Sequence, residues 1–293
     1  MDDGRQGVIR PGRWHAGSVG REDLKKASAR RSRRTPPLLF VHGAAHGAWC
    51  WDEHFIPWFR ERGFQAVALD LRGHGSRRGS PLRWVPLSAY VEDVNEAVAK
   101  LERPPVLVGH SVGGSIVERY ISAGGPAAGA VLASPVPHNL VGFAVRYARA
   151  NPIRFLTMLA TLSFKPMVGT PSAFSIFFSP AMPRDEIARL QSHAQEESFR
   201  AFMDGILTPL ARPRPAAVPT LVVTGSEDAM FTVDEERKMA GYHGAEFDLL
   251  PGVGHDLMLD VGWESVAERI DRFVRSLSSS RSSSHETRGA TGA

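Results

Sequence analysis

The sequence predicts an α/β fold: a mostly parallel, doubly wound sheet of about six strands with a helical block inserted in it. Three observations lead there. Short, almost wholly apolar runs alternate with amphipathic segments, and strands without a polar face must be covered on both sides. One such run, Val106-Leu107-Val108, breaks into Gly109-His110-Ser111-Val112-Gly113 and then into a helical pattern. The alternation also lapses between Val136 and Pro215 and resumes afterwards.

Leu38 to Val41 is the first strand and ends at His42-Gly43-Ala44-Ala45-His46-Gly47. Trp49 to Arg62 is predicted as one amphipathic helix carrying Trp51, Phe55, Trp58 and Phe59, closed by Gly63. Ala66 to Leu69 is the second strand and runs into Asp70-Leu71-Arg72-Gly73-His74-Gly75. Ser88 is expected to cap a helix reaching about Glu102, where Pro104-Pro105 prevents extension. The strand before Ser111 and the helix after it come next, followed by a strand at Ala130 to Ala133 that stops at Pro135.

Helical segments at 142–150, 152–162, 183–193 and 197–207 fill the interruption. Thr220 to Thr224 and Glu246 to Leu250 are the last strands, with helices at 233–241 and 264–277. The expected organisation is a core of 35–135 and 216–277, with 136–215 a helical cap on the C-terminal edge of the sheet. Ligands of open α/β sheets bind at that edge.

Charge is unevenly placed. Residues 1–34 hold ten Arg/Lys against four Asp/Glu, a net of +6, while the remaining 259 hold 25 against 27. Such a tail suits contact with nucleic acid or an anionic membrane. Without apolar periodicity it is expected to be a solvated, disordered extension, and no nucleic-acid partner is expected. The serine-rich stretch 278–293 is likewise expected to be disordered. The lone cysteine, Cys50, excludes an intrachain disulfide and suits a reducing compartment. With neither a signal-peptide pattern nor an apolar run of membrane-spanning length, the expected location is cytoplasmic. The oligomeric state is left open.

Gly-x-Ser-x-Gly between an apolar strand and a helix start is the pattern of a nucleophile elbow. The helix's free N–H groups then favour negative charge beside Ser111. A serine hydroxyl needs a base, and the base an orienting carboxylate. Gly252-Val253-Gly254-His255 follows the sixth strand, and its setting between glycines and an apolar helix start suits a catalytic histidine. Gly225-Ser226-Glu227-Asp228 follows the fifth strand and supplies Asp228, with Glu227, Asp234 and Asp248 as nearby alternatives. The oxyanion donors would be the backbone N–H groups of Val112 and Ala44. His42, His110, Phe143 and Met230 are candidates for the substrate pocket. His42 and His46 are four apart, but the Gly43-Ala44-Ala45 between them disfavours a helix. Neither a metal nor another cofactor is expected.

Together these motifs closely resemble the α/β-hydrolase superfamily over about residues 36–277. Val41 to Trp51 with Asp70 to Gly75 is similar to the branch of small esterases, cofactor-free perhydrolases and plant hydroxynitrile lyases. The resemblance implies a Ser–His–Asp triad on Ser111, His255 and Asp228, and a helical cap over the pocket. Asp256 stands where the lyases carry a lysine, which argues against cyanohydrin chemistry, and the serine nucleophile argues against the dehalogenase and epoxide hydrolase branches. The expected activity is serine hydrolysis of small, apolar, uncharged carboxylic esters. The alternatives are acyl transfer or perhydrolysis on the same triad, and a ligand receptor that retains the triad.

Overall fold

The computed structural model describes residues 35–79, 81–207 and 214–289; the basic segment 1–34 lies outside them. Six parallel strands form one sheet: β1 (Leu38–Val41), β2 (Ala66–Leu69), β3 (Val106–His110), β4 (Gly129–Ala133), β5 (Thr220–Gly225) and β6 (Glu246–Leu250). Their spatial order is β2-β1-β3-β4-β5-β6. The chain winds outward from β1 to β2, then crosses back to start β3 on the other side of β1. The order therefore reverses between β1 and β3, and the crevice above their carboxyl ends is the natural ligand site of such a sheet.

Twelve helices accompany the strands among the described residues: α1 (Trp49–Asp52), α2 (Phe55–Glu61), α3 (Leu87–Ala99), α4 (Val112–Ser122), α5 (Val141–Ala150), α6 (Pro152–Thr161), α7 (Lys165–Val168), α8 (Pro171–Phe174), α9 (Arg184–Gln191), α10 (Phe199–Leu207), α11 (Val233–His243) and α12 (Trp263–Gly289). Strand side chains alternate between two cores. Leu38, Phe40, Val106 and Val108 pack with Trp51 and Phe59 of α1 and α2 and Ile270 of α12. Leu39, Val41, Leu107 and Val222 pack on the other side with Tyr90 of α3, Ile116 of α4 and Ala240 of α11. The sheet is thus covered on both faces, as its apolar strands require.

Helices α5 to α10 all lie between β4 and β5. Their apolar residues, including Phe143, Met158, Phe174 and Leu190, join the same cluster as one sheet face rather than closing a core of their own. That makes the insertion integral to the body.

Three expectations need correction. The segment 49–62 is two helices, because Pro57 lacks an N–H and its ring collides with the carbonyl of Glu53, four residues back. Ser88 does not cap α3; the helix starts at Leu87, whose N–H donates to Asp204 of α10 at 3.0 Å. The last helix runs on to Gly289 instead of ending at Leu277. Residues 278–288 contain neither proline nor glycine, and serine is a tolerable if indifferent helix residue.

Candidate active site

β3 ends at His110 and α4 begins at Val112, so the chain turns through Ser111 alone. Ser111 takes φ +51° and ψ −119°, a strained conformation for a residue with a side chain. Glycine is required on either side. A Cβ on Gly109 would lie 2.4 Å from the Gly113 carbonyl oxygen, and one on Gly113 would lie 2.4 Å from that of Val41. The second contact also shows how closely the first turn of α4 seats against the end of β1.

His255 and Asp228 converge on the serine from the ends of β6 and β5. His255 Nε2 is 3.0 Å from Ser111 Oγ, and its Nδ1 is 2.8 Å from Asp228 Oδ2. Asp228 Oδ1 accepts the backbone N–H groups of Met230 at 2.8 Å and Phe231 at 3.0 Å. Burial alone would raise the Asp228 carboxyl, but the His255 imidazole and these N–H donors hold it below its ordinary value. The alternative carboxylates lie elsewhere: Glu227 meets Ser226, Asp234 pairs with Lys238, and Asp248 pairs with Arg269.

The turn after β1 lies against Ser111. A Cβ on Gly43 would stand 2.8 Å from His110 Nδ1 and 3.0 Å from Ser111 Cβ. Ala44 and Val112 both line a cavity of about 70 Å³ that opens on Ser111 and His255. His110, Phe143 and Met230 line it too, with Phe164, Met167 and Phe202 of the insertion. His42 does not. Its Nε2 accepts the Leu71 N–H at 3.1 Å and its Nδ1–H donates to the Gly43 carbonyl at 2.8 Å, so it braces the turn from behind. Burial, with neighbouring His74, lowers its pKa to about 3 and keeps it neutral.

The match to protein families decides the affiliation. The profile of the alpha/beta hydrolase family covers residues 38–269. The chain belongs to this family. A non-heme haloperoxidase of Rhodococcus erythropolis is 27% identical over 82% of the chain and 92% of its own length. A non-heme chloroperoxidase of Streptomyces lividans is 37% identical over 36% of the chain, and that alignment spans only 38% of the relative. Among solved structures, the monoacylglycerol lipase of Paleococcus ferrophilus superposes with a TM-score of 0.63 at 20% identity, over 84% of this chain and 96% of the lipase. That likeness is one of fold.

Around its site this α/β hydrolase carries buried carboxylate–imidazole pairs that sequence reasoning missed. His46 meets the Ala44 carbonyl at 2.7 Å through Nδ1 and Asp256 at 3.0 Å through Nε2. Both partners accept, which suits an imidazolium. Burial opposes that charge, but Asp256 outweighs it and the His46 pKa is raised. Glu197, from the insertion, accepts from Tyr90 Oη at 2.8 Å and from the Ala45 N–H at 3.3 Å, and lies 3.4 Å from His74 Nε2. The Gln195 N–H donates to the Ala45 carbonyl at 2.8 Å, so both polar groups of the Ala45 backbone are held by the insertion. The signal for Asp256 was its acid placed between His255 and the apolar run Leu257-Met258-Leu259, since a buried carboxylate must find a partner. Glu197 had no such signal.

Among the described residues, two clusters each gather three potential metal ligands: His110, His255 and Asp256, and Glu118, His138 and His243. In the first, His255 already spends both ring nitrogens on Ser111 and Asp228. In the second, the Ala216 N–H donates to His243 Nδ1 at 3.1 Å, so the proton sits on Nε2 and goes to Glu118 at 2.8 Å. A metal-bound histidine uses its other nitrogen as a donor. The cluster therefore fits a carboxylate held by two imidazoles, His138 being the second, better than a metal site.

Proposed function

We propose that this α/β hydrolase cleaves carboxylic esters of small, apolar, uncharged substrates through an acyl-enzyme on Ser111. The observation that carries the reading is the unbroken chain from Ser111 Oγ to His255 at 3.0 Å and on to Asp228 at 2.8 Å. His255 Nε2 takes the hydroxyl proton as Ser111 Oγ bonds to the carbonyl carbon. The oxyanion that forms is met by the N–H groups of Ala44 and Val112, the latter aided by the positive end of α4. His255 gives its proton to the leaving alcohol as the C–O bond breaks, then activates water to release the acid. Asp228, unable to leave its two backbone donors, fixes the imidazole with its proton on Nδ1. The insertion acts as the cap, and its aromatic and Met side chains favour an apolar substrate. A cytoplasmic location, in keeping with the single free cysteine, belongs to the same proposal.

The names of the peroxidase relatives favour one second reading, in which hydrogen peroxide replaces water at the acyl-enzyme and the product is a peracid. Stopped-flow with p-nitrophenyl butyrate tests both. A burst of one nitrophenolate per protein followed by turnover supports the hydrolase; peracid on adding peroxide supports the second reading. Binding with neither burst nor turnover would contradict both and leave a receptor that retains the triad.

A further inference from the structure

The surface of the insertion carries a feature that ester hydrolysis does not use. Residues 136–184 contain Arg146, Arg149, Arg154, Lys165 and Arg184 and not one Asp or Glu, in a chain with 31 acidic residues. Within that acid-free stretch, α6 turns apolar side chains outward. Ile153 is 80% exposed and Leu156 64%, and Leu159 is exposed as well; this is the i, i+3, i+6 spacing of one helical face. Val141 and Val145 of α5 are also exposed, four apart. The opposite sides of the same helices are committed to the body: Phe143, Tyr147 and Met158 are buried in the core cluster. Of the cations, Arg146 pairs with Glu235, but Arg149, Arg154 and Lys165 have no carboxylate partner among the described residues.

Large apolar side chains held outward beside unpaired cations form the surface of an interfacial helix, not of one that simply faces water. The apolar side chains suit the acyl boundary of a bilayer, and the cations suit anionic headgroups. An acidic protein partner would satisfy the cations, but the protruding Ile153 and Leu156 on a convex helix offer no groove for it. We propose that the exposed face of α5 and α6 docks on an anionic lipid surface. α5 also supplies Phe143, and Leu140 at its start, to the cavity wall, so docking sets the cavity beside the membrane. Resting on the ester-hydrolase reading, the consequence is that lipid-soluble esters are taken from the bilayer.

The test is flotation of the full-length protein with vesicles of phosphatidylglycerol and phosphatidylcholine, against phosphatidylcholine alone. Wild type should float with the anionic vesicles at least tenfold more than with the neutral ones. The double variant Ile153→Asp, Leu156→Asp should lose at least tenfold of that binding, while p-nitrophenyl butyrate turnover in solution stays within twofold. Arg149→Gln with Arg154→Gln should lose the preference for anionic vesicles. Both pairs are exposed or half-exposed and outside the cavity wall, and circular dichroism with Tm reports that they fold. If the double Asp variant floats like wild type, the proposal is overturned and the basic segment 1–34 carries any binding. If wild type ignores vesicles and sediments as a dimer that the variant breaks, the proposal is also overturned, and the face joins two copies of the chain. If vesicles bind as predicted but no ester is turned over, the hydrolase reading fails and the docking surface stands.

Discussion

Asp228→Asn keeps the shape of the side chain and removes its charge, and the surrounding hydrogen bonds dictate the consequence. Asp228 Oδ1 is held by the N–H groups of Met230 at 2.8 Å and Phe231 at 3.0 Å, so an asparagine must put its carbonyl oxygen there. Its amide nitrogen then faces His255 Nδ1 across what is now a 2.8 Å contact. An amide nitrogen only donates, so His255 must accept at Nδ1 and carry its proton on Nε2. That N–H points at Ser111 Oγ, 3.0 Å away, and the base has become a donor to the group it should deprotonate. Recovering the working tautomer means turning the amide over and setting its NH2 against the two backbone donors. Both side chains are 1% exposed, so water cannot take their place. Leaving those two buried backbone donors unsatisfied costs about 1–3 kcal/mol each. At about 1.4 kcal/mol per factor of ten, kcat should fall by roughly 30-fold to 10⁴-fold. KM should hardly change, because the substrate does not touch Asp228. Single-turnover acylation by p-nitrophenyl butyrate, with Tm as the control for folding, measures it. A folded variant that loses less than tenfold would refute the argument, and if Glu227→Gln does the damage instead, the acid is one residue earlier.

Glu197→Gln should lower kcat by about tenfold, the equivalent of ~1.4 kcal/mol, by loosening the turn that carries Ala44, with KM within threefold. Unchanged kcat would show that the insertion's hold on Ala45 does not reach the chemistry. Acid should destabilise the fold from pH 6.5 downward: His42 and His110 have pKa values near 3 when folded against 6.5 when free, both through burial first, and the two together outweigh Glu236, whose carboxyl burial raises well above its ordinary value and which acts in the opposite sense. Below pH 6.5 the unfolded chain binds the extra protons, so stability falls with pH by up to ~1.4 kcal/mol per unit for each. His46 and His74 are shifted upward, so their stabilisation is complete below pH 6.5 and is lost only as pH rises past their folded values. Tm should therefore drop from pH 6 to pH 5, and a rise would contradict this reading. Finally, kcat/KM should increase from acetyl to butyryl and hexanoyl esters, each methylene contributing at most ~0.8 kcal/mol against the apolar wall. A steady fall from acetyl onward would mean that Phe143, Phe164 and Met167 serve only to pack the body.

The strands and the hydrogen-bonded set of Ser111, His255 and Asp228 were legible because each has a local signature. Parallel strands buried on both faces are continuous apolar runs, and all six lie where those runs are. Ser111, Asp228 and His255 each follow a strand directly, so finding the strand finds the residue. Pro57, in the first turn of α2, is what ends the helical run after α1, yet the apolar period continues on both sides of it and reads as one helix. What could not be read is the set of buried carboxylate contacts. His46 and Asp256 are 210 residues apart, and Tyr90 and Glu197 are 107 apart. Such partners are chosen by where the insertion and the loops land, not by any neighbour in sequence. His42 was misassigned to the pocket for the same reason: its side chain turns toward Leu71, on a different strand end.

The central claim is that Ser111 becomes acylated. It is met most directly by treating the protein with a fluorophosphonate and locating the adduct by peptide mass spectrometry. One adduct per chain is expected, on the peptide holding Gly109 to Gly113, absent in Ser111→Ala along with ester turnover. An adduct on any other serine, or ester turnover that survives in Ser111→Ala, would contradict it.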